Sequence, residues 1–253
     1  MNYRDLLIIF GVLILITAAC STPRTIQQPI EGLEEAFISA DSLVSLIPDY
    51  SNELNTISGK GRAMISEPGN SERVTIDYYS DRENSLLIVR TSVGIEAANI
   101  LAGPDSLLIF NKVDNIAEII PVSGNNLTGV GSIASLNLTN LFNFTFTAGD
   151  IQRIFDDAGE YVVLLGSEAI VRVSKRTGHV IEVRQPEFAQ NVAYSLIEYE
   201  GYAEIESFQL PRKITIFSAD GNSRAVFLVQ QLEVNIDLPP LKLDIPDSVP
   251  IYR

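Results

Sequence analysis

From residue 54 to residue 236 short turn sequences cut the chain into segments patterned for strands, and this limits the fold more than any other feature. Between Pro68-Gly69-Asn70 and Ser80-Asp81-Arg82, Val74, Ile76 and Tyr78 alternate with Thr75, Asp77 and Tyr79, the period-two signature of a strand with one face buried. Further strands are predicted at 54–66, 84–92, 95–102, 105–111 and 115–121, separated by turns such as Gly103-Pro104-Asp105. They resume at 160–166, 168–174, 179–185, 192–200 and 212–218, and Asp220-Gly221-Asn222 signals a hairpin into a long strand from Ser223 to Ile236. In that strand Val226, Leu228, Leu232, Val234 and Ile236 share one face while Ala225, Phe227 and Val229 take the other, so its first half needs cover on both sides. A strongly curved antiparallel sheet, an incomplete β-barrel with helices covering its concave side, supplies that cover; the fold class expected is mainly β with a few helices.

The helices are read from the 3.6-residue period. Leu33, Ala36, Phe37, Ala40, Leu43, Val44 and Ile47 predict one amphipathic helix ending before Pro48. Thr147-Ala-Gly-Asp150 resembles a capping box, with Ile151, Ile154, Phe155 and Ala158 on one face and Gly159 as the stop, which predicts a short helix. Between 122 and 147, Leu127, Val130, Ile133, Leu136, Leu141, Phe142 and Phe144 are scattered among Gly, Asn, Ser and Thr. That stretch reads as a long loop or a poorly periodic helix, and its apolar residues as core packing or as an apolar lid or partner surface. The end of the chain, with Pro239-Pro240, Pro246 and Pro250, is excluded from a central strand and is expected along an edge.

The start of the chain is different in kind. After Arg4, Leu6 to Ile16 is apolar apart from Gly11, and through Ala19 the run stays short of the ~20 residues of a spanning helix, so it reads as a signal peptide over 1–19. Ile16-Thr17-Ala18-Ala19-Cys20 resembles the lipobox of bacterial lipoproteins, with Thr17 in place of the preferred Leu. A thiol takes a diacylglyceryl group as a thioether, so Cys20 is the predicted lipid-attachment site, and two or three acyl chains anchor almost permanently. Ser21 is not the Asp that, by what this resemblance implies, retains lipoproteins in the inner membrane; outer-membrane residence facing the periplasm is expected. Residues 20–31, with two prolines and no periodicity, read as the lipidated N-terminus and a flexible tether, and 32–253 as a single domain.

Composition removes most of the usual chemistry. With Lys+Arg 18 against Asp+Glu 32 the net charge is −14, which disfavours nonspecific binding to nucleic acid or an anionic membrane surface. One Cys and one His exclude a disulfide framework and the common His/Cys zinc sites, so no metal or cofactor is expected.

An exported lipoprotein, an N-terminal amphipathic helix, Ser58-Gly59-Lys60-Gly61-Arg62 leading into a meander and a helix pair midway are together similar to the LolA/LolB-like lipoprotein-localisation superfamily. More closely the chain resembles an uncharacterised family of Gram-negative lipoproteins classed as a domain of unknown function. The residues carrying that likeness are Gly94-Ile95-Glu96-Ala97-Ala98-Asn99-Ile100, Pro104-Asp105-Ser106-Leu107, and Ile245-Pro246 with Tyr252. The resemblance implies an incomplete barrel whose apolar hollow accommodates acyl chains and needs no catalytic group. The superfamily's outer-membrane receptor exposes a leucine on a protruding loop between early strands; here Thr91-Ser92-Val93-Gly94 is short and offers Val93. No ligand-contact residue matches position by position, so the ligand-binding residues stay unassigned.

Catalytic constellations are lacking. Asp156-Asp157 and Glu34-Glu35 read as solvated faces of helices, and Glu96 and Asp105 fall at strand and turn positions where a carboxylate satisfies backbone amides. His179 after Thr177-Gly178 reads as an exposed turn residue. No Gly-x-Ser-x-Gly elbow occurs, and Gly129-Val-Gly131 lacks the third glycine of a dinucleotide loop. Asn126, Asn137 and Asn143 match the glycosylation sequon by chance. The function expected is therefore non-enzymatic: a membrane-anchored protein binding a lipid or lipoprotein acyl chain in envelope biogenesis. The alternative is an accessory lipoprotein that docks onto an envelope protein partner through a sheet edge or the 122–147 loop and has no lipid ligand.

Overall fold

A computed structural model of the protein describes residues 30–122, 129–187, 189 and 192–253. The chain divides into two compact units, Met1–Gly32 and Leu33–Arg253. Of the first only a turn at 30–32 is described, so the predicted signal peptide, Cys20 and most of the tether lie outside the described residues.

Among the described residues fifteen strands form one open sheet. The first meander is β2 (Ile57–Glu67), β3 (Asn70–Ser80), β4 (Ser85–Thr91), β5 (Glu96–Ala102), β6 (Ser106–Asn111) and β7 (Ile116–Pro121), matching the strands expected from the period-two pattern. The second is β8 (Ile151–Asp157), β9 (Glu160–Leu165), β10 (Ile170–Ser174), β11 (Val180–Arg184) and β12 (Tyr194–Glu200). The hairpin β15 (Lys213–Ser218) and β16 (Arg224–Val234) joins the two, because β15 pairs with β12 and β16 with β2, all antiparallel. The ends are β1 (Glu34–Glu35) on β8 and β17 (Ile251–Tyr252) on β7, so the sheet does not close into a barrel. Register shifts interrupt five ladders, and each bends its strand and adds twist, which curves a sheet this wide. A separate two-stranded hairpin, β13 (Ala203–Ile205) and β14 (Phe208–Leu210), buries Phe208 and Leu210 in the main core.

One of these shifts overturns the expected faces of β16. Val229 pairs with Gly61 and Gln231 with Lys60, so Gln230 is an extra residue and the side-chain parity changes across it. Ala225, Phe227, Val229, Leu232 and Val234 therefore share the buried face, while Leu228 is 46% exposed. The strand needs cover on one side only. Apolar residues on both faces occur instead in the β4–β7 half, where Leu107 lies on one face and Phe110 on the other. Phe110 and Ala117 are packed by Leu243, Ile245 and Val249 of the Pro-rich tail, which then adds β17 in parallel register at the sheet edge, as the prolines require.

Two predicted helices are corrected. In place of one helix over 33–47, Glu34 and Glu35 pair with Asp156 and Phe155, and only α1 (Ala40–Val44) is helical, capped by the Ser39 side chain accepting from the Ser42 N–H. Leu43 and Ile47 are buried, but Phe37 is fully exposed, so no continuous apolar stripe docks. The second helix, over 151–158, is strand β8. The Thr147–Asp150 capping box exists, but it closes only a 3-10 turn at Ala148–Asp150. The ladder with β9, turning through Gly159 at φ +92°, then takes Ile154 and Phe155 into an extended conformation. Within the 122–147 stretch two further helices form, α2 (Gly129–Ala134) and α3 (Leu138–Phe142).

Candidate functional site

Helix α2 packs on β15, β16 and β2, and between the helices and the sheet lies a cavity of about 100 Å³. The strands contribute Ala63, Ile65, Ile76, Leu87, Val89, Ile100, Ile216, Ala225 and Phe227; the helical segment contributes Ile133, Ala134, Leu136, Leu138 and Leu141. Every lining residue is apolar, so nothing in it positions a charge or activates a nucleophile, and its chemistry is that of hydrocarbon. Ile133, Leu141 and Phe142 are buried and Leu136 and Phe144 partly buried, so these five residues of the 122–147 stretch pack into the core. Leu127 and the Val130 side chain lie outside the described residues.

A buried hydroxyl cluster holds α3 in place. Ser80 and Ser85, fully buried at the ends of β3 and β4, share a hydrogen bond of 2.8 Å. Leu138 N–H donates to Ser85 Oγ at 2.9 Å, and Thr139 N–H and Oγ1 reach Ser80 Oγ at 3.2 and 3.0 Å. The Asn137 side chain caps the helix at Asn140 N–H and donates to the Asp81 carbonyl at 2.9 Å. The open N–H groups of a helix start are thereby satisfied inside the protein, which ties α3 to the β3–β4 hairpin. Sequence reasoning missed this cluster, because Ser80 reads as a turn residue and Ser85 as the start of a strand, with nothing in either pointing to Thr139.

Most of the charged candidates sit in ion pairs. Asp156 and Asp157 lie on a strand, not a helix: Asp156 pairs with Lys175 at 2.6 Å and Asp157 with Arg172 at 2.5 Å. Glu35 takes Arg153 at 2.7 Å. Glu96 lies between Lys112 and Arg90, and the hydrogen bond from Lys112 holds its carboxyl below the usual range. His179 is half-buried rather than exposed, stacked on Tyr202 at 4.0 Å, and burial, with Arg176 nearby, lowers its pKa. Two sequon asparagines serve the fold: Asn137 caps α3 and Asn143 accepts the Tyr50 N–H at 3.3 Å, while Asn126 lies outside the described residues. Among the described residues no group of three or more His, Cys, Asp or Glu is placed to hold a metal, and no helix is long and apolar enough to cross a membrane. The Thr91–Gly94 turn exposes Val93, as expected, and Ile95 beside it.

The architecture is LolA-like. The chain matches the crystal structure of a LolA superfamily protein from Nitrosomonas europaea with a TM-score of 0.54 at 15% identity, over 80% of this chain and 96% of that one. A candidate outer membrane lipoprotein-sorting protein domain from Vibrio parahaemolyticus gives 0.52 at 9% identity, over 79% and 92%. A DUF1329 family protein from Desulfovibrio piger gives 0.54 at 10% identity, over 79% and 93%. No protein-family model and no curated protein matches the sequence.

Proposed function

We propose that the protein is a lipid-anchored lipoprotein of the outer membrane, facing the periplasm, that binds a lipid or lipoprotein acyl moiety and catalyses no reaction. The observation that carries this reading is the wholly apolar cavity between the sheet and α2–α3. Its fold neighbours include a LolA superfamily protein and a candidate lipoprotein-sorting domain, which supports the same class of cargo. In this reading α2 and α3 cover the concave side of the sheet. At about 100 Å³ the cavity is smaller than ligand pockets of roughly 300–1,000 Å³, so acyl entry requires α2 to move outward while α3 stays tied to Ser80 and Ser85. Anchoring rests on Cys20 and the lipobox-like residues before it.

The test is to express the chain from residue 24, extract it with organic solvent and look by mass spectrometry for bound lipid, then add a fluorescent acyl probe. Co-purified lipid or saturable probe uptake is expected; a dry interior that takes up neither overturns the reading. For the anchor, Cys20→Ala should abolish acyl modification and release the protein from membrane fractions. Unchanged acylation in that variant would remove the lipobox from the argument.

A further inference from the structure

A second cavity lies on the other side of α3, and its lining is mostly polar. Leu138 and Leu141 turn to the apolar cavity, whereas Thr139, Asn140 and Asn143 turn to this one, which has a volume of about 280 Å³ and also takes in Ser51, Arg82 and Thr145 with Leu54 and Phe144. In a chain of net charge −14 this cavity is lined, among the described residues, by no carboxylate and by one cation.

Its polar atoms are mostly donors with hydrogens to spare. Arg82 Nε donates to the Leu54 carbonyl at 3.1 Å, which fixes the guanidinium, while its two terminal nitrogens have no hydrogen-bond or ion-pair partner among the described residues. Asn143 Oδ1 accepts the Tyr50 N–H, so the amide orientation is set and its NH₂ group remains to donate. The Asn140 side chain is exposed, and its amide is unpartnered among the described residues. Ser51 Oγ and Thr145 Oγ1 lie 3.3 Å apart; one hydroxyl donates to the other, which leaves one proton free. Thr139 Oγ1 spends its proton on Ser80. Of the acids flanking these residues in sequence, Asp49 accepts the Ser51 N–H and Asp81 accepts the N–H groups of Glu83 and Asn84.

A guanidinium fork held at Nε, two amide NH₂ groups and a hydroxyl around this recess match a tetrahedral oxyanion, whose terminal oxygens accept several hydrogen bonds and pair bidentately with arginine. We propose that this cavity binds a phosphate group, free or as the headgroup of a phospholipid. The volume exceeds that of a bare phosphate and leaves room for its ester substituent. The long-range repulsion of the −14 charge is screened beyond about 8 Å at physiological ionic strength, so the local donors dominate. The site goes beyond acyl binding and stands without it, since the two cavities share no lining residue.

The experiment titrates the full-length chain in a neutral detergent with inorganic phosphate and, separately, with dihexanoyl phosphatidylglycerol, reading the Arg82 Nε–H and the Asn140 and Asn143 side-chain amides by NMR. Saturable shifts of these three groups are expected, absent with chloride at equal ionic strength. Arg82→Gln should weaken binding about tenfold, as for loss of a charge-assisted hydrogen bond. Asn140→Asp, a surface change that leaves the Leu54 contact alone, should weaken it similarly and keeps the test valid if Arg82→Gln fails to fold. Tighter binding of the lipid assigns the headgroup as the occupant, and equal affinities assign free phosphate; either supports the site. No saturable shift with either probe, or shifts unaltered in Asn140→Asp, overturns it. Acyl-probe uptake by Asn140→Asp should match wild type, so failure of this site is distinguishable from failure of the acyl cavity.

Discussion

Tyr78 on β3 reaches across β2 to donate its phenolic proton to the backbone carbonyl of Gln231 on β16, at 2.9 Å and directly over Gly59. A Cβ at Gly59 would stand 2.1 Å from that carbonyl oxygen and 2.6 Å from the phenol oxygen, and one at Gly61 would stand 2.4 Å from the Phe227 ring. Ser58-Gly59-Lys60-Gly61-Arg62 is thus a bare stretch of strand on which two aromatic rings, 5.6 Å apart and edge-to-face, lie against backbone. Gly59→Ala should destabilise the protein by about 3 kcal/mol, because backbone on both strands must yield. Tyr78→Phe keeps the ring and loses one hydrogen bond, about 1 kcal/mol. Urea midpoints should fall in that order; a Gly59→Ala midpoint equal to wild type would refute the close approach.

Tyr199 offers the opposite case. It is 3% exposed and its hydroxyl has no hydrogen-bond partner among the described residues, so the folded state carries an uncompensated desolvation cost. Tyr199→Phe should leave stability unchanged or raise it by about 1 kcal/mol. Tyr202→Phe should lower it by a similar amount, because that hydroxyl donates to the Val180 carbonyl at 2.6 Å. Thermal unfolding of the two variants side by side distinguishes them, and a large loss in Tyr199→Phe would mean the hydroxyl has a partner.

Stability should fall at both ends of the pH scale. Burial raises the pKa of Tyr78, Tyr199 and Tyr202. Above about pH 10 the unfolded chain releases these protons while the folded chain keeps them, so the unfolded state binds fewer protons and stability declines as pH rises. Glu96, held down by the Lys112 hydrogen bond, and Asp157, held down by the Ala158 N–H and then Arg172, act in the other direction. Their contribution is present above the ordinary carboxylate range near pH 4 and is lost below it. His179, depressed by burial, adds an earlier loss as pH falls from about 6.5, which His179→Gln should remove. Urea midpoints between pH 3 and 11 test each limb; a rise in stability above pH 10 would contradict the tyrosine assignment.

The strands were legible where one face is buried and the turns are explicit, as in Val74–Tyr78 between Pro68-Gly69-Asn70 and Ser80-Asp81-Arg82. They were misread where geometry breaks the period. In β16 one extra residue at Gln230 exchanges the faces, and nothing in the residue itself announces a bulge. In β8, Ile151, Ile154 and Phe155 satisfy helical spacing, but that ladder also carries a register shift, so a bulged strand and a helix share the pattern. An apolar hollow was expected from the family resemblance, but the residues themselves announced it only as surplus hydrophobicity in the 122–147 stretch. Its position depends on where α2 and α3 settle on the sheet, and for α3 that is fixed by Ser80, Ser85 and Thr139, which meet only in the folded chain.

The cavity can be tested by pulling stability and binding apart. Ala63 and Ala225 line it with the smallest side chains on its sheet side, so Ala63→Leu adds three carbons to a space of about 100 Å³ whose other walls are Ala134 and Ile, Leu, Val and Phe side chains. If the space is a ligand site, filling it should preserve or raise stability, since new apolar contacts replace a void, while uptake of an acyl probe is lost. Leu141→Ala works in reverse: it enlarges the same cavity at a cost of about 2–5 kcal/mol and, in whatever fraction stays folded, admits the probe at least as well as wild type. Chemical denaturation and probe fluorescence on the same samples read both quantities. An Ala63→Leu protein that folds normally and takes up the probe with unchanged affinity would place the acyl site away from Ala63, because the added carbons compete with the acyl chain for the space that outward movement of α2 opens.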